Sequence, residues 1–351
     1  MKTGLSISEL AAELERQAGT KKDYIADTRR LKMTVGRDDK MVLEGVNGGL
    51  GVRSTAHAQF ASSLSIPKVY YDRMLANAPD LLAANVNRWL ETQPSKKLVR
   101  VLDGEVRAVL SDSYRPLDNV ELAEAVLPQL IGLEAHVLST EITESRMYIK
   151  AVSPRVQGDV MVGDTVQAGL VVSNSEIGHG ALRVAAMDYR LVCLNGMIRE
   201  SAVRQAHLGR GSRGGDAIED AREFFRPETR LADDRAFFLK VRDAVGSMFD
   251  ADKFNLRIAQ YREANQKEVT GEPEAVVEVL SKRFGFAESE RSSILKQFIK
   301  GDMMSAWGLA NAVTRAAQDV ESYDRSQEME QLGGDVIELP ASAWREIASA
   351  K

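Results

Sequence analysis

Residues 97–111 read KLVRVLDGEVRAVLS, two runs of alternating apolar and polar side chains on either side of Asp103-Gly104. Alternation with a period of two is typical of half-buried β-strands, and Asp-Gly is typical of a tight hairpin turn. The stretch therefore predicts an antiparallel β-hairpin. Its two arginines, Arg100 and Arg107, are candidates to lie on the same face of the hairpin.

Strand patterns recur further along the chain, in EAHVLSTEIT (134–143), SRMYIKAVS (145–153), TVQAGLVVSNS (165–175) and ALRVAAMDYRLVC (181–193). The connections between these runs are too short for the crossovers that parallel strands need. An antiparallel, meander-like sheet is the expected arrangement. Helical patterns precede it, including one from Asn119 to about Leu130.

The pattern changes after the glycine-rich stretch HLGRGSRGGD (207–216), beyond which helical spacing dominates. The fold class predicted is α+β: an antiparallel, hairpin-rich sheet with packed helices, followed by a helical C-terminal region. The first part spans residues 1–210, and the helical region with its acidic tail spans 216–351. We expect the apolar residues of that region to form its core, among them Phe284, Phe286, Leu295, Phe298 and Trp307.

Composition is that of an ordinary globular protein, with 44% hydrophobic and 28% charged residues. No apolar run approaches the roughly 18 residues of a membrane span, and glutamates stand where a signal peptide would be apolar. The single cysteine, Cys193, excludes an intramolecular disulfide, so we expect a cytoplasmic protein without a membrane partner. Its apolar neighbours predict a buried thiol in the middle of a strand.

Charge is unevenly distributed, although the net charge is only −5. From His179 to Gly215 there are six arginines and two acids, whereas acids dominate from Val320 to the end. A local basic surface is compatible with an acidic protein, because phosphate contacts depend on where the cations lie.

Signatures of common enzymes are missing from the sequence: it has no phosphate-binding loop, no nucleophile elbow and no His-Glu-x-x-His. Gly178-His179-Gly180 is interpreted as a turn with His179 at its tip. One enzymatic alternative stays open, a magnesium-dependent nuclease or nucleotide-processing enzyme. In that alternative Asp112, Asp118 or Glu176 would bind the metal and His179 would act as the base.

Nucleic-acid binding is the leading hypothesis, because arginines spaced along strands and in glycine-rich connections can follow a phosphate backbone. It requires no cofactor and favours a binding protein over an enzyme. Tyr114 and Tyr189 are candidate stacking partners for bases. The predicted nucleic-acid-binding residues are Lys97, Arg100, Arg107, Arg183, Arg190, Arg199, Arg204, Arg210 and Arg213.

Four ordered motifs carry a family resemblance: SDSYRPLDN (111–119), VVSNSEIGHGALRV (171–184), YRLVCLNGMI (189–198) and WGLANAVT (307–314). Together they resemble the phage- and plasmid-like family known as domain of unknown function 932, and they span residues 111–314. The resemblance implies a protein carried on mobile DNA, with DNA metabolism as the natural expectation. It implies no established activity.

Three functions therefore follow as expectations. The first is a single-stranded-DNA-binding or annealing protein with an arginine-lined groove, which the architectural similarity to phage single-strand annealing recombinases also favours. The second is the metal-dependent enzyme described above. The third is a protein-interaction module that acts on a host or defence factor through the acidic C-terminal segment. Self-association into a homo-oligomer is a further expectation.

Overall fold

The computed structural model describes residues 1–114, 116–205 and 227–351. Within these ranges the chain forms two β-sheets with helices packed on both, which confirms the α+β class. The predicted hairpin is present as the antiparallel strands β5 (Lys96–Leu102) and β6 (Glu105–Ser111). Asp103 and Gly104 in its turn both have positive φ, 55° and 78°, as this type of tight turn requires.

The hairpin lies inside a six-stranded sheet with the order β1-β5-β6-β4-β3-β2. Strands β1 and β2 occupy opposite edges of this sheet, although only residues 28–31 connect them. A flat sheet of six strands is about 24 Å from edge to edge, whereas this connection spans at most about 18 Å. The first sheet must therefore curl. Its remaining strands are β1 (Lys22–Asp27), β2 (Lys32–Val35), β3 (Met41–Glu44) and β4 (Leu50–Val52).

Three helices pack on the curled sheet: α2 (Ser54–Ser63), α3 (Lys68–Asn77) and α4 (Pro79–Thr92). The break between the first two falls at Pro67, because proline restricts the preceding backbone. Apolar residues from these helices and from the sheet form one core, and it includes Phe60, Tyr71, Leu82, Val86 and Val99.

The second sheet has five strands in the order β11-β10-β9-β8-β7, and every neighbouring pair is antiparallel. This arrangement confirms the predicted meander. The strands are β7 (His136–Ile142), β8 (Met147–Met161), β9 (Asp164–Asn174), β10 (Leu182–Arg190) and β11 (Asn195–Gln205).

One face of the second sheet is covered by α1 (Ile7–Thr20), α5 (Asn119–Gly132) and α6 (Pro227–Met248). Alternate strand residues point to this face, as the pleat of a strand requires. The core between them includes Leu10 of α1, Leu122 of α5, and Ile149 and Val172 of the sheet.

The other face of the second sheet contacts the C-terminal helices, which also share a core of their own. Phe286, Phe298 and Trp307 are buried in that core, and Phe284 and Leu295 pack against it, as predicted. The helices are α7 (Ala251–Gln266), α8 (Pro273–Phe284), α9 (Glu288–Gly301), α10 (Ala306–Ala316), α11 (Tyr323–Ile337) and α12 (Ala341–Ala348).

The predicted boundary between the two parts of the chain, residues 210–216, lies outside the described residues. In the ranges that the structure does describe, no helix is both long and apolar enough to cross a bilayer.

Candidate nucleic-acid interface

Glu176 joins the two sheets through its buried carboxylate. Its Oε1 lies 2.9 Å from Lys21 Nζ and accepts the backbone N–H of Asn119 at 2.7 Å. Its Oε2 lies 2.8 Å from Arg107 Nη1, on the hairpin of the first sheet. Arg100 of the same hairpin donates to the backbone oxygen of Glu176 at 2.7 Å. We call this group the Glu176 joint.

Arg100 extends the Glu176 joint to two further carboxylates. Its guanidinium lies 2.9 Å from Asp23 and 2.8 Å from Asp118, and the residue is only 1% exposed. Burial would raise the pKa of Asp118, but Arg100 and Lys21 hold it below its usual value. The joint therefore balances three buried or half-buried cations against three carboxylates.

A second joint connects the second sheet to α10. Asp164 at the start of β9 bonds to Arg190 through Oδ1 and accepts the indole N–H of Trp307 at 2.9 Å through Oδ2. Asn195 at the start of β11 donates to Asn311 at 3.1 Å and to Thr314. We call this group the Asp164 joint.

A cleft with a volume of about 1060 Å³ opens between the second sheet and α11. We call it the α11 cleft. Its sheet wall includes Arg146, Tyr148, Ser173, Arg183 and Ile198. Its helix wall includes Asp324, Gln327, Glu328, Gln331, Asp335 and Glu338.

The two walls of the α11 cleft differ in charge. Arg146 and Arg183 are the cations of the sheet wall, and both are half-buried. The helix wall is rich in carboxylates, and Arg325 of α11 pairs with Glu328 at 2.7 Å. Burial, followed by the charge of Glu338, raises the pKa of Asp335. Other acceptors of this wall also have donors in the protein, since Asp324 accepts from Thr143 and Ser145, and Gln331 accepts from Arg183.

The glycine-flanked loop 178–180 forms one end of the α11 cleft. Ser175 Oγ accepts the backbone N–H of His179 at 3.0 Å, and Arg146 donates to the backbone oxygen of His179. Gly178 and Gly180 have φ of 77° and 131°, values that favour glycine. His179 is exposed at the tip of this turn, as the sequence predicts.

The family model described as Domain of unknown function (DUF932) matches residues 106–332, which is more than half of the chain. The chain belongs to this family. No curated protein and no solved structure matches it.

All four motifs of this DUF932 protein lie inside the matched range, and the structure brings them together in pairs. Motif 111–119 meets motif 171–184 at the Glu176 joint, where Asn174 Nδ2 donates to Leu117 and Asn119, each at 2.9 Å. Motif 189–198 meets motif 307–314 at the Asp164 joint. The side chains that form these two joints connect strands, helices and loops to one another instead of facing solvent.

Four of the predicted nucleic-acid-binding arginines are buried and form ion pairs with carboxylates. Arg100 and Arg107 are 1% and 5% exposed in the Glu176 joint, and Arg190 and Arg199 are each 7% exposed. Arg199 pairs with Glu338 at 2.9 Å. The hairpin arginines and the later arginines also lie on two different sheets, and not on the single sheet expected from the sequence. Phosphate would reach these four guanidinium groups only if their ion pairs opened.

The other predicted cations have different positions. Lys97 is half-buried on β5. Arg183 lies on the sheet wall of the α11 cleft, where it bonds to Gln331. Arg204 is the register partner of Arg183 on β11, and its side chain lies outside the described part of the chain. Arg210 and Arg213 also lie outside the described residues. Of the candidate stacking residues, Tyr114 is 8% exposed, whereas Tyr189 is half-buried.

The carboxylates that were expected to bind magnesium do not lie together at one site. Asp118 and Glu176 are bound by cations of the Glu176 joint, and Asp112 is exposed. Among the described residues there is no group of three or more His, Cys, Asp or Glu side chains arranged to hold a metal ion.

Cys193 was expected to be buried within a strand, and this prediction is wrong. β10 ends at Arg190 and the chain turns through residues 191–194, so Cys193 lies in a turn and is half-exposed. Leu194 takes a positive φ of 52° to close this turn. Exposed apolar side chains surround the cysteine, with Val192 59% and Leu194 55% exposed.

Arg146 was not predicted as a functional residue, and the carboxylates of the helix wall were predicted only as part of the acidic segment of a protein-interaction module. The signal for the wall is present in the sequence, because Asp324, Glu328, Gln331, Asp335 and Glu338 recur at helical spacing. The same residues contribute to an acidic tail by composition, and only the sheet opposite α11 makes them one side of a cleft.

Proposed function

We propose that this DUF932 protein binds single-stranded DNA, with the α11 cleft as the path of the strand. The observation that carries the proposal is the position of Arg146 and Arg183, which line the cleft and are partly exposed. Partly exposed cations are more accessible to the phosphates of a strand in solvent than the buried arginines of the joints are. Arg204 adds a third arginine at the position opposite Arg183.

The size and shape of the α11 cleft support a single strand as its ligand. Pockets for small molecules commonly have volumes of about 300–1,000 Å³, and this cleft reaches about 1060 Å³. It has room for a stretch of extended chain. The α11 cleft is closed along one side, where α11 packs directly against β11. A cleft closed on one side suits a flexible single strand better than a rigid duplex.

The sequence beyond β11 supplies further cations for the same ligand. Between Gln205 and Asp216 it contains Arg210, Arg213 and His207, with no acidic residue. These residues stay predicted phosphate contacts, and so does Lys97 on the first sheet. Binding of this kind requires no covalent step and no cofactor.

Fluorescence anisotropy with labelled single- and double-stranded oligonucleotides, titrated over a range of salt concentrations, tests the proposal. Each phosphate contact to a single strand contributes about 0.7 to the slope of log affinity against log salt. Replacing Arg146 and Arg183 by alanine should therefore weaken binding and reduce the slope by about 1.4.

Arg88→Ala is the matched control, because Arg88 is an exposed arginine on α4, away from the cleft. It should change neither the affinity nor the slope. Equal affinity and slope in the wild type and the double variant would overturn the proposal.

Annealing of complementary strands and a role in mobile-element DNA metabolism belong to the same proposal. A strand held by its phosphates in an open cleft can present part of its bases to a second strand. Mixing complementary oligonucleotides with and without the protein, and following duplex formation, tests annealing separately from binding.

A second candidate, a protein-interaction module, is favoured by the exposed hairpin tips of the second sheet. The β8–β9 turn exposes Met161 and Val162, at 45% and 101%, beside the turn that exposes Leu191, Val192 and Leu194. Leu191 donates to Thr165, so the two tips are adjacent. Exposed apolar patches commonly mark contacts with other proteins.

Light scattering after gel filtration tests self-association through these tips. If they join two copies of this chain, Val162→Asp with Val192→Asp should yield a monomer. A wild-type monomer would exclude a homo-oligomer and direct this candidate toward a different protein partner.

A further inference from the structure

We propose that the single strand continues from the α11 cleft onto a basic surface of the first sheet. We call this the Lys96 surface, and its cations are Arg30, Lys32, Lys96 and Lys97. The inference rests on the proposed function, because it extends the path of the same strand. It gives the strand a second group of phosphate contacts beyond those of the cleft.

Two segments that are far apart in the sequence meet on the Lys96 surface. The backbone N–H of Thr28 donates to the backbone oxygen of Ser95 at 2.9 Å, and Thr28 Oγ1 accepts the backbone N–H of Ser95 at 3.0 Å. Next to this contact, Lys96 is the register partner of Asp27. The end of β1 and the start of β5 therefore lie side by side, and their cations share one region of the protein surface.

The charge of the two segments is strongly positive. Residues 27–32 and 95–97 carry five cations and one carboxylate. That carboxylate, Asp27, pairs with Arg29 at 2.6 Å, and a further one, Glu44, lies opposite β2 in the register of the sheet. Three of the cations are exposed and form no ion pair within the described part of the chain: Arg30, Lys32 and Lys96. Their charges are available to the phosphates of a strand.

A glycine-rich loop borders the same surface. Gly45 lies directly against Arg30, since a side chain at position 45 would collide with the backbone oxygen of Arg30. The next residues of this loop, 47–49, read Asn-Gly-Gly and are exposed. Backbone N–H groups are among the donors that contact phosphate oxygens. The loop can therefore add contacts of this kind beside Arg30.

The Lys96 surface lies at the same end of the hairpin as the α11 cleft. Lys97 is the register partner of Ser111, and the neighbouring Leu110 packs against Gly178, in the loop that forms one end of the cleft. Neighbouring strands are about 4.8 Å apart, so β1 lies about 10 Å from β6 across the sheet. A strand that leaves the cleft over this loop therefore reaches the Lys96 surface after a few nucleotides.

The length of the oligonucleotide separates the two surfaces. α11 has 15 residues, which gives a helix about 22 Å long at 1.5 Å per residue. At a spacing of about 3.4 Å per nucleotide, about six nucleotides cover this length. Fluorescein-labelled (dT)6 therefore has the length of the cleft alone, whereas (dT)16 also reaches the Lys96 surface. Anisotropy titrations of both, over salt concentrations from about 50 to about 200 mM, measure the slope of log affinity against log salt.

The test variant is Arg30→Ala with Lys32→Ala and Lys96→Ala. It should reduce the slope for (dT)16 by about 2.1, at about 0.7 for each lost contact, and keep the wild-type slope for (dT)6. This change corresponds to an about 18-fold shift in the affinity of the wild type relative to the variant over that range of salt. A longer strand also has more ways to bind, which raises its affinity but not its slope.

The matched control removes the same three charges from exposed positions on α8 and α9, through Arg283→Ala with Lys296→Ala and Lys300→Ala. It should keep the wild-type slope for both oligonucleotides. Circular dichroism of each variant verifies that folding is unchanged. A reduced slope in this control would overturn the inference, because net charge and not position would then determine the salt dependence.

The other outcomes separate this inference from the function on which it rests. Equal slopes for (dT)16 in the wild type and the test variant would overturn the Lys96 surface and leave binding in the cleft intact. Loss of (dT)6 binding in the test variant would overturn both proposals, because the strand would then lie on the first sheet alone. A wild type that binds neither oligonucleotide would also overturn both.

Discussion

Arg107 Nη1 lies 2.8 Å from Glu176 Oε2, although the two residues are 69 positions apart and their side chains are 6% and 1% exposed. This ion pair connects the hairpin of the first sheet to the β9–β10 loop of the second. Burial lowers the pKa of Arg107, and the carboxylate of Glu176 opposes that effect. The pair therefore has a structural role, and the first prediction follows from it.

Arg107→Met should destabilise the protein by about 3–5 kcal/mol, because it leaves a buried carboxylate with fewer partners. Urea denaturation followed by circular dichroism measures the loss. Arg107→Met combined with Glu176→Leu should be less destabilised than the sum of the two single variants. An unchanged unfolding midpoint for Arg107→Met would show that the pair contributes nothing to stability.

The second prediction concerns Lys150 of β8 and Glu330 of α11, which pair at 2.6 Å with both side chains fully buried. Lys150→Met removes the cation that pairs with the buried carboxylate of Glu330 beneath the α11 cleft. We expect a loss of about 3–5 kcal/mol in the free energy of unfolding. Replacing both residues with apolar ones should recover much of that loss. A double variant no more stable than Lys150→Met would show that the buried carboxylate of Glu330 does not cause the loss.

A third prediction follows from Trp307, whose indole N–H donates to Asp164 at 2.9 Å within the Asp164 joint. Trp307→Phe retains an aromatic ring but leaves Asp164 Oδ2 without this donor. The expected cost is about 1–3 kcal/mol. Thermal unfolding should show a lower Tm for Trp307→Phe than for Trp89→Phe, a change at a half-exposed tryptophan on α4. Equal Tm values would exclude a role for this hydrogen bond.

The fourth prediction is a pH dependence of stability caused by His57. Burial, followed by the charge of Lys68, lowers the pKa of His57 from 6.5 to about 4, and its Nδ1 lies 2.8 Å from the hydroxyl of Tyr71. Between those pH values the unfolded chain binds a proton that the folded protein does not. Stability should therefore fall as the pH decreases from about 6.5 to about 4, by roughly 3 kcal/mol at most.

Urea midpoints measured at pH 7, 6, 5 and 4 test this dependence. His57→Gln should reduce the change across this range, whatever its effect on stability at pH 7. A variant whose stability falls as steeply as that of the wild type would show that other groups cause the pH dependence.

Local features of the fold were predictable from the sequence. The hairpin at 97–111 depends on Asp103-Gly104 and on alternation within a few residues, and the break at Pro67 depends on one side chain. The meander of the second sheet follows from short connections. Each of these features is determined by interactions between neighbours in the chain.

Pairing between distant residues was not predictable in the same way. Arg100 and Arg107 looked like surface cations because arginine on a strand usually faces solvent. Their carboxylate partners Asp23 and Glu176 lie far away in the sequence. The helix wall of the α11 cleft was visible only as an acidic segment. Its role depends on the sheet opposite, which contributes Arg146 and Arg183 from other strands.

Hydrogen exchange with and without a single-stranded oligonucleotide locates the bound strand on the protein, and so tests whether the α11 cleft is its binding site. A strand in the α11 cleft should slow the exchange of amides in α11 and in β10 and β11. The same oligonucleotide should leave α3 and α4 unchanged, and Arg146→Ala with Arg183→Ala should remove the protection. Protection confined to the first sheet, or no protection at all, would contradict the assignment of the α11 cleft as the DNA-binding site.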